Sequence, residues 1–97
     1  MSDRRYLIAA HFGKNLRRER KRARVSQEVL ARLASLHRTE IGLLEGGGRV
    51  PRIDTVVKLA SALEVPLDDL VAGIDWSSAR GSWVLTVGLG APAVIEP

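Results

Sequence analysis

Residues 26–45 read SQEVLARLASLHRTEIGLLE, two short helical patterns joined at Ser35–Leu36. Ser26 is an N-cap residue, whose oxygen can accept from the otherwise orphaned amides of the first turn. Behind it, Val29, Leu30, Leu33 and Ala34 recur at three- and four-residue spacing, which predicts an amphipathic helix with these four inward. Ala31 is small enough for another helix to approach closely. A second helix is expected from about His37 to Glu45, burying Ile41 and Leu44, three residues apart on one face. Two short helices around a three- or four-residue turn form a motif whose second helix commonly enters a DNA groove.

Around this pair the chain reads as one small domain with an appendage. Its 97 residues are 45% apolar, enough for a modest core. Helix 1 is expected over about Arg5–Ala23, with Ile8, Phe12, Leu16 and Ala23 on one stripe and Leu7 beside it. Its outer face carries Arg17, Arg18, Lys21, Arg22 and Arg24. Gly46-Gly47-Gly48 ends helix 3 as a C-cap and turn, and Pro51 stops any continuation. A phosphate-cradling loop would need Lys-Ser/Thr after the glycines, where Arg49-Val50 stand. Helix 4 is expected over Ile53–Leu63, with Ile53, Val56, Val57, Ala60 and Leu63 inward. A short helix 5 follows near Leu67–Ala72, its first turn carrying Asp68 and Asp69, where the helix dipole favours negative charge.

The residues Phe12-Gly13, Leu16-Arg17, Arg20, Ser26-Gln27-Glu28, Leu30-Ala31, Arg38, Ile41, Glu45, Gly47, Pro51, Leu59-Ala60, Leu63 and Leu70 carry a resemblance. Over residues 12–71 the chain resembles the phage-repressor-like (XRE, Cro-like) helix-turn-helix family. The resemblance implies a mainly α fold, a compact five-helix DNA-binding domain. It also implies an ion pair of Arg20 with Glu45 that ties helix 1 to the end of helix 3, and a backbone phosphate contact by Gln27. One departure is Ser35, where the family usually has Gly; a left-handed backbone there costs a non-glycine residue roughly 1 kcal/mol.

Beyond Gly73 the helical spacing is lost. Ser82–Val87 is a β-type run in which Trp83, Leu85 and Val87 alternate with Val84 and Thr86. Ala93-Val94-Ile95 is a weaker partner strand, reached by a turn through Gly88-Leu89-Gly90. The expected division is a DNA-binding domain over 1–73 and a C-terminal β-strand or hairpin extension over 74–97. A lone hairpin is marginal in water, so the extension needs something to pack on. Own-domain packing, pairing with a second copy and capture of a different protein are all open, and Trp83, Val84, Leu85 and Val87 are the candidate dimerisation residues.

Charge and helical geometry place the candidate interface. Through Arg52 there are thirteen Lys/Arg against five Asp/Glu, and beyond it two against six, for a net charge of +4. A basic half containing the helix pair points to a bound polyanion. With Ile41 and Leu44 inward, Arg38, Thr39, Gly42 and Leu43 point outward at 100° per residue. Arg38 can fork onto guanine O6 and N7, Thr39 can bond or touch a thymine methyl, and Leu43 can touch that methyl. Gly42 would permit close approach. Arg17, on helix 1, is a candidate phosphate contact. His37 can cap helix 3 or donate to a phosphate, and Arg49 and Arg52 can touch phosphates or reach the minor groove.

The expectation is a sequence-specific double-stranded DNA-binding transcription regulator, acting as a homodimer in the cytoplasm. A rival is an antitoxin or other interaction module whose tail binds a protein partner. No catalytic arrangement, cofactor or metal site is expected: cysteine is absent and the two histidines, His11 and His37, are far apart. No membrane span or signal peptide is expected either.

Overall fold

The central signals become elements of the computed structural model, which describes residues 4–86 and 93–95. Helices α1 Arg4–Arg22, α2 Gln27–Ala34, α3 Arg38–Glu45, α4 Ile53–Leu63 and α5 Leu67–Leu70 are followed by strands β1 Ile74–Ser77, β2 Ser82–Leu85 and β3 Ala93–Ile95. The Ser26 hydroxyl accepts from the Val29 amide at 3.1 Å and starts α2. Ser35 ends it in the left-handed region, φ 54° and ψ 47°, in the position the family fills with glycine. The Leu36 amide then bonds the Ala31 carbonyl at 2.8 Å, which closes the turn.

Phe12, Leu16, Leu30, Ile41, Leu44, Leu59 and Leu70 are fully buried and draw all five helices around one core. Four expected inward residues are not in it: Val29 is only half-buried, and three others are exposed. Leu33 is 54% exposed, Ile53 76% and Val57 49%. The reason is rotational. α4 buries Leu59, which sits 200° around the helix from Val57, so Val57 faces out. α2 buries Ala31 with Leu30 and Ala34, and that choice turns Leu33 toward solvent. Ile53 is the exception to that reason: it falls within about 20° of buried Ala60, but as the first residue of α4 it stands at the end of the buried stripe and stays exposed. α1 ends at Arg22, leaving Ala23 exposed beyond it.

α1 meets α3 backbone to backbone. A Cβ on Gly13 would lie 2.6 Å from the Glu45 carbonyl oxygen and closer still to that of Leu44. Gly47, at φ +74°, would bring a Cβ within 2.9 Å of the Ala10 Cα. These two close approaches set how near the helices come. Gly46, the residue directly after α3, keeps ordinary helical φ and ψ, so the left-handed turn falls to Gly47.

The extension is a three-stranded antiparallel sheet in the order β1-β2-β3. The expected β2–β3 pairing is present, with Val84 opposite Val94; the turn expected at Gly88-Leu89-Gly90 and the candidate Val87 lie outside the described residues. β1 is an addition to the sequence expectation. It pairs Ile74 with Leu85 and Trp76 with Trp83, and the two indoles pack edge to face with centroids 5.3 Å apart. Leu85 is buried and Ile74 packs against the core, so one end of this face is anchored while Trp76 stays 53% exposed. His11 Nε2 lies 3.0 Å from the Ala72 carbonyl oxygen, and Asn15 Nδ2 donates to the Leu70 and Ala72 carbonyls at 3.0 and 2.9 Å. Arg18 Nη2 donates to the Asp69 carbonyl at 3.0 Å. His11 thus helps hold the start of the sheet to α1.

The α1–α3 seam is testable at Gly13. In Gly13→Ala, overpacking strain of about 1–3 kcal/mol should exceed a helix-propensity gain of up to about 1 kcal/mol. The urea midpoint should fall; an unchanged or higher midpoint would contradict the close approach.

Candidate nucleic-acid interface

α3 separates its faces as helical geometry requires. Ile41 and Leu44 are fully buried, whereas Arg38 and Thr39 are exposed and Leu43 is 41% exposed. At Gly42 a Cβ would meet nothing within 4 Å, so space does not demand glycine there. Glycine in mid-helix is disfavoured by up to about 1 kcal/mol, which leaves a reason outside the folded monomer.

Glu45 fixes the helix on its inner side. Arg20 Nε and Nη2 donate to its two carboxylate oxygens at 2.6 and 3.0 Å, and Arg20 Nη1 donates to the Val25 carbonyl at 3.0 Å. The side chains are only 13% and 6% exposed. The hydrogen bond from Glu45 holds the Arg20 guanidinium above its ordinary pKa, with burial opposing. Gln27 Nε2 donates to the same carboxylate at 3.1 Å, so one of its two N–H groups is spent inside the protein and the other remains. The ion pair implied by the family resemblance is therefore present, and it also recruits the first residue of α2.

The basic side chains divide into two groups. Arg18 and Arg22 bond the buried carboxylate of Glu19 at 3.0 and 3.3 Å, a structural role that their place on an expected outer face did not suggest. Arg17, Arg49 and Arg52 are exposed, with Arg52 Nε 3.3 Å from Asp54 Oδ1. Arg49 lines an open cleft of about 390 Å³ together with Arg5, Tyr6 and Gly48. His37 precedes α3 with extended backbone and makes no side-chain cap, so the capping role expected for it is withdrawn. Arg38 Nε donates to Glu28 Oε1 at 3.1 Å, a contact across the turn that sequence reasoning missed. Among the described residues, no group of three His, Asp or Glu side chains is placed to hold a metal ion.

A buried Glu45 clamp behind α3 and an outward Arg38, Thr39, Gly42 and Leu43 define a helix held for presentation. A family model described as a helix-turn-helix domain matches residues 11–72. The chain belongs to the phage-repressor-like helix-turn-helix family. The restriction-modification controller protein C.AhdI from Aeromonas hydrophila is similar, 37% identical over 64% of this chain and 94% of its own, with a TM-score of 0.62. A hypothetical transcription factor, NHTF from Neisseria, is 31% identical over 66% of this chain and 74% of its own, with a TM-score of 0.63. An HTH_3 family transcriptional regulator from Vibrio cholerae shares 21% identity and a TM-score of 0.68 over 90% of this chain and 53% of its own, a likeness of fold. That share reaches past the helices into the sheet. No curated protein matches the chain significantly. The fold and family are those of DNA-binding transcriptional regulators, and no helix among the described residues is long and apolar enough to cross a membrane.

The two faces of α3 give opposite expectations. Glu45→Ala strands the Arg20 guanidinium and should destabilise the fold by on the order of 3 kcal/mol. Gly42→Ala should stabilise it by up to about 1 kcal/mol. Thermal melts should therefore move down and up respectively; the reverse pattern would invert the assignment of faces.

Proposed function

We propose that the protein is a sequence-specific transcription regulator that lays α3 in the major groove of double-stranded DNA. The observation that carries this is the outward face of α3, with a long cation, a hydroxyl, a gap and an apolar tip opposite a fully buried face. Arg38 has the donors to fork onto guanine, Thr39 and Leu43 can contact a thymine methyl, and Gly42 lets the helix approach. Arg17, Gln27, His37, Arg49 and Arg52 are the proposed phosphate contacts, which set register without carrying sequence. The homologous controller protein and transcription factor support the same reading.

Selection of binding sites from random duplexes tests it. Arg38→Ala should lose about 1–3 kcal/mol of discrimination at one base pair with its melting temperature nearly unchanged. Arg49→Ala and Arg52→Ala should weaken all sequences alike and flatten the fall of log affinity with log salt, which has a slope near −0.9 per phosphate contact. Affinity independent of salt between ~50 and ~200 mM would sink the mechanism.

The protein is further proposed to act as a homodimer, with its two recognition helices about 34 Å apart. The sheet and the residues before it offer the surface. Leu67, Val71 and Trp76 are each exposed by 39% or more along α5 and β1. β2 is the middle strand, so its backbone is paired on both sides. A second copy would therefore meet an edge strand or the Trp76–Trp83 face, with Val84 and Leu85 supporting from within. Trp76→Ser should shift the mass measured by light scattering to that of a monomer and weaken binding to the selected site. A variant that stays dimeric and binds undiminished would assign the tail to another use, such as holding a different protein.

A further inference from the structure

We propose that Glu28 is a positioning residue for Arg38, and that it selects how the guanidinium meets a base. The inference rests on the reading of α3 as the base-reading helix. Glu28 stands in the first turn of α2 and accepts from Arg38 Nε at 3.1 Å, across the turn that joins the two helices. Both side chains are largely exposed, 68% for Glu28 and 63% for Arg38. In the free protein such a pair contributes little, because water screens it and two long side chains must be held still. Its consequence lies in which donor it occupies. Arginine has five N–H groups, one on Nε and two on each Nη. With Nε committed to Glu28, the two Nη groups are left as a fork on the far end of the side chain, matched to guanine O6 and N7. A side-on approach through Nε is closed while the bond persists. Docking on DNA would exclude water from the pair and strengthen it where it matters.

Glu28 also places a carboxylate on a surface otherwise suited to phosphate. Its charge opposes non-specific binding, so the same residue would raise the contrast between the right site and any other. This fits the arrangement better than a purely structural pair, since neither partner is buried and neither caps a helix.

The test compares wild type, Glu28→Gln, Arg38→Ala and the double variant. The probes are a duplex carrying the site enriched by the wild type, the single-base variants of that site, and a scrambled duplex. Glu28→Gln should bind the scrambled duplex more tightly and lose about two- to five-fold in discrimination at the one base pair read by Arg38. In the Arg38→Ala background it should change that discrimination no further. Glu40→Gln removes the same charge from α3 while leaving the Glu28–Arg38 bond in place. It should raise scrambled-duplex affinity without the loss at that base pair. Unchanged or improved discrimination in Glu28→Gln, or an equal loss in Glu40→Gln or without Arg38, would overturn the proposal. Failure of the wild type to enrich any site would overturn the base-reading assignment itself, and appears in a separate arm.

Discussion

The clamp of Arg20 on Glu45 is the contact on which the interface depends. Both carboxylate oxygens accept from one guanidinium, and Gln27 adds a third donor from the start of α2. Removing two charges from water is costly, so the pair is better understood as specifying an arrangement than as adding net stability. What it specifies is the rotation of α3. Glu45 can reach Arg20 only when Ile41 and Leu44 face the core, and that rotation places Arg38, Thr39, Gly42 and Leu43 outside. Gly13 and Gly47 complete the constraint by setting the separation of α1 from α3 and the turn beyond it. Spacing comes from backbone contact, and orientation comes from the ion pair.

Much of this was legible because the deciding signals are local. A serine N-cap, an apolar pair three residues apart and a glycine after the helix each act within a few residues, whatever the rest of the chain does. The left-handed turn was legible too, although Ser35 carries it without glycine's freedom. Legibility failed where two neighbouring stripes were both apolar enough to be buried. In α4, Val56 and Ala60 belong to either stripe, and the choice between Val57 and Leu59 is made by α2 and α5 packing against it. In α2, Leu33 lost to Ala31 for the same kind of reason, since a small residue admits a closer neighbour. β1 was missed although Ile74-Asp75-Trp76-Ser77 alternates apolar and polar residues, because an alternation of four residues is the shortest that can mark a strand and carries little weight alone. The signal lay in its partner: two tryptophans flanking Ser77–Ser82, with Gly81 in the turn, mark a hairpin. Of the site, the faces of α3 were readable, but the Glu28–Arg38 and Gln27–Glu45 bonds were not, because both require the two helices to be placed first.

α1 gives the sheet its bearing on the interface. His11, Asn15 and Arg18 fall on one side of this helix, spaced four and three residues apart, and hold the carbonyls of residues 69–72. Gly13 and Arg20 fall near the opposite side, at about 200° and 180° from His11, and hold α3. One helix of nineteen residues therefore grips the reading helix with one face and the root of the sheet with the other. Gly73 tightens the second grip, because a Cβ there would come within 2.7 Å of His11 Nε2, and its carbonyl accepts from the Thr86 amide at 2.8 Å. A sheet attached by a flexible linker could hold a second molecule without fixing its direction. Attached in this way, whatever the sheet binds acquires a set orientation relative to Arg38, because a packed helix between two anchored faces transmits position with little play.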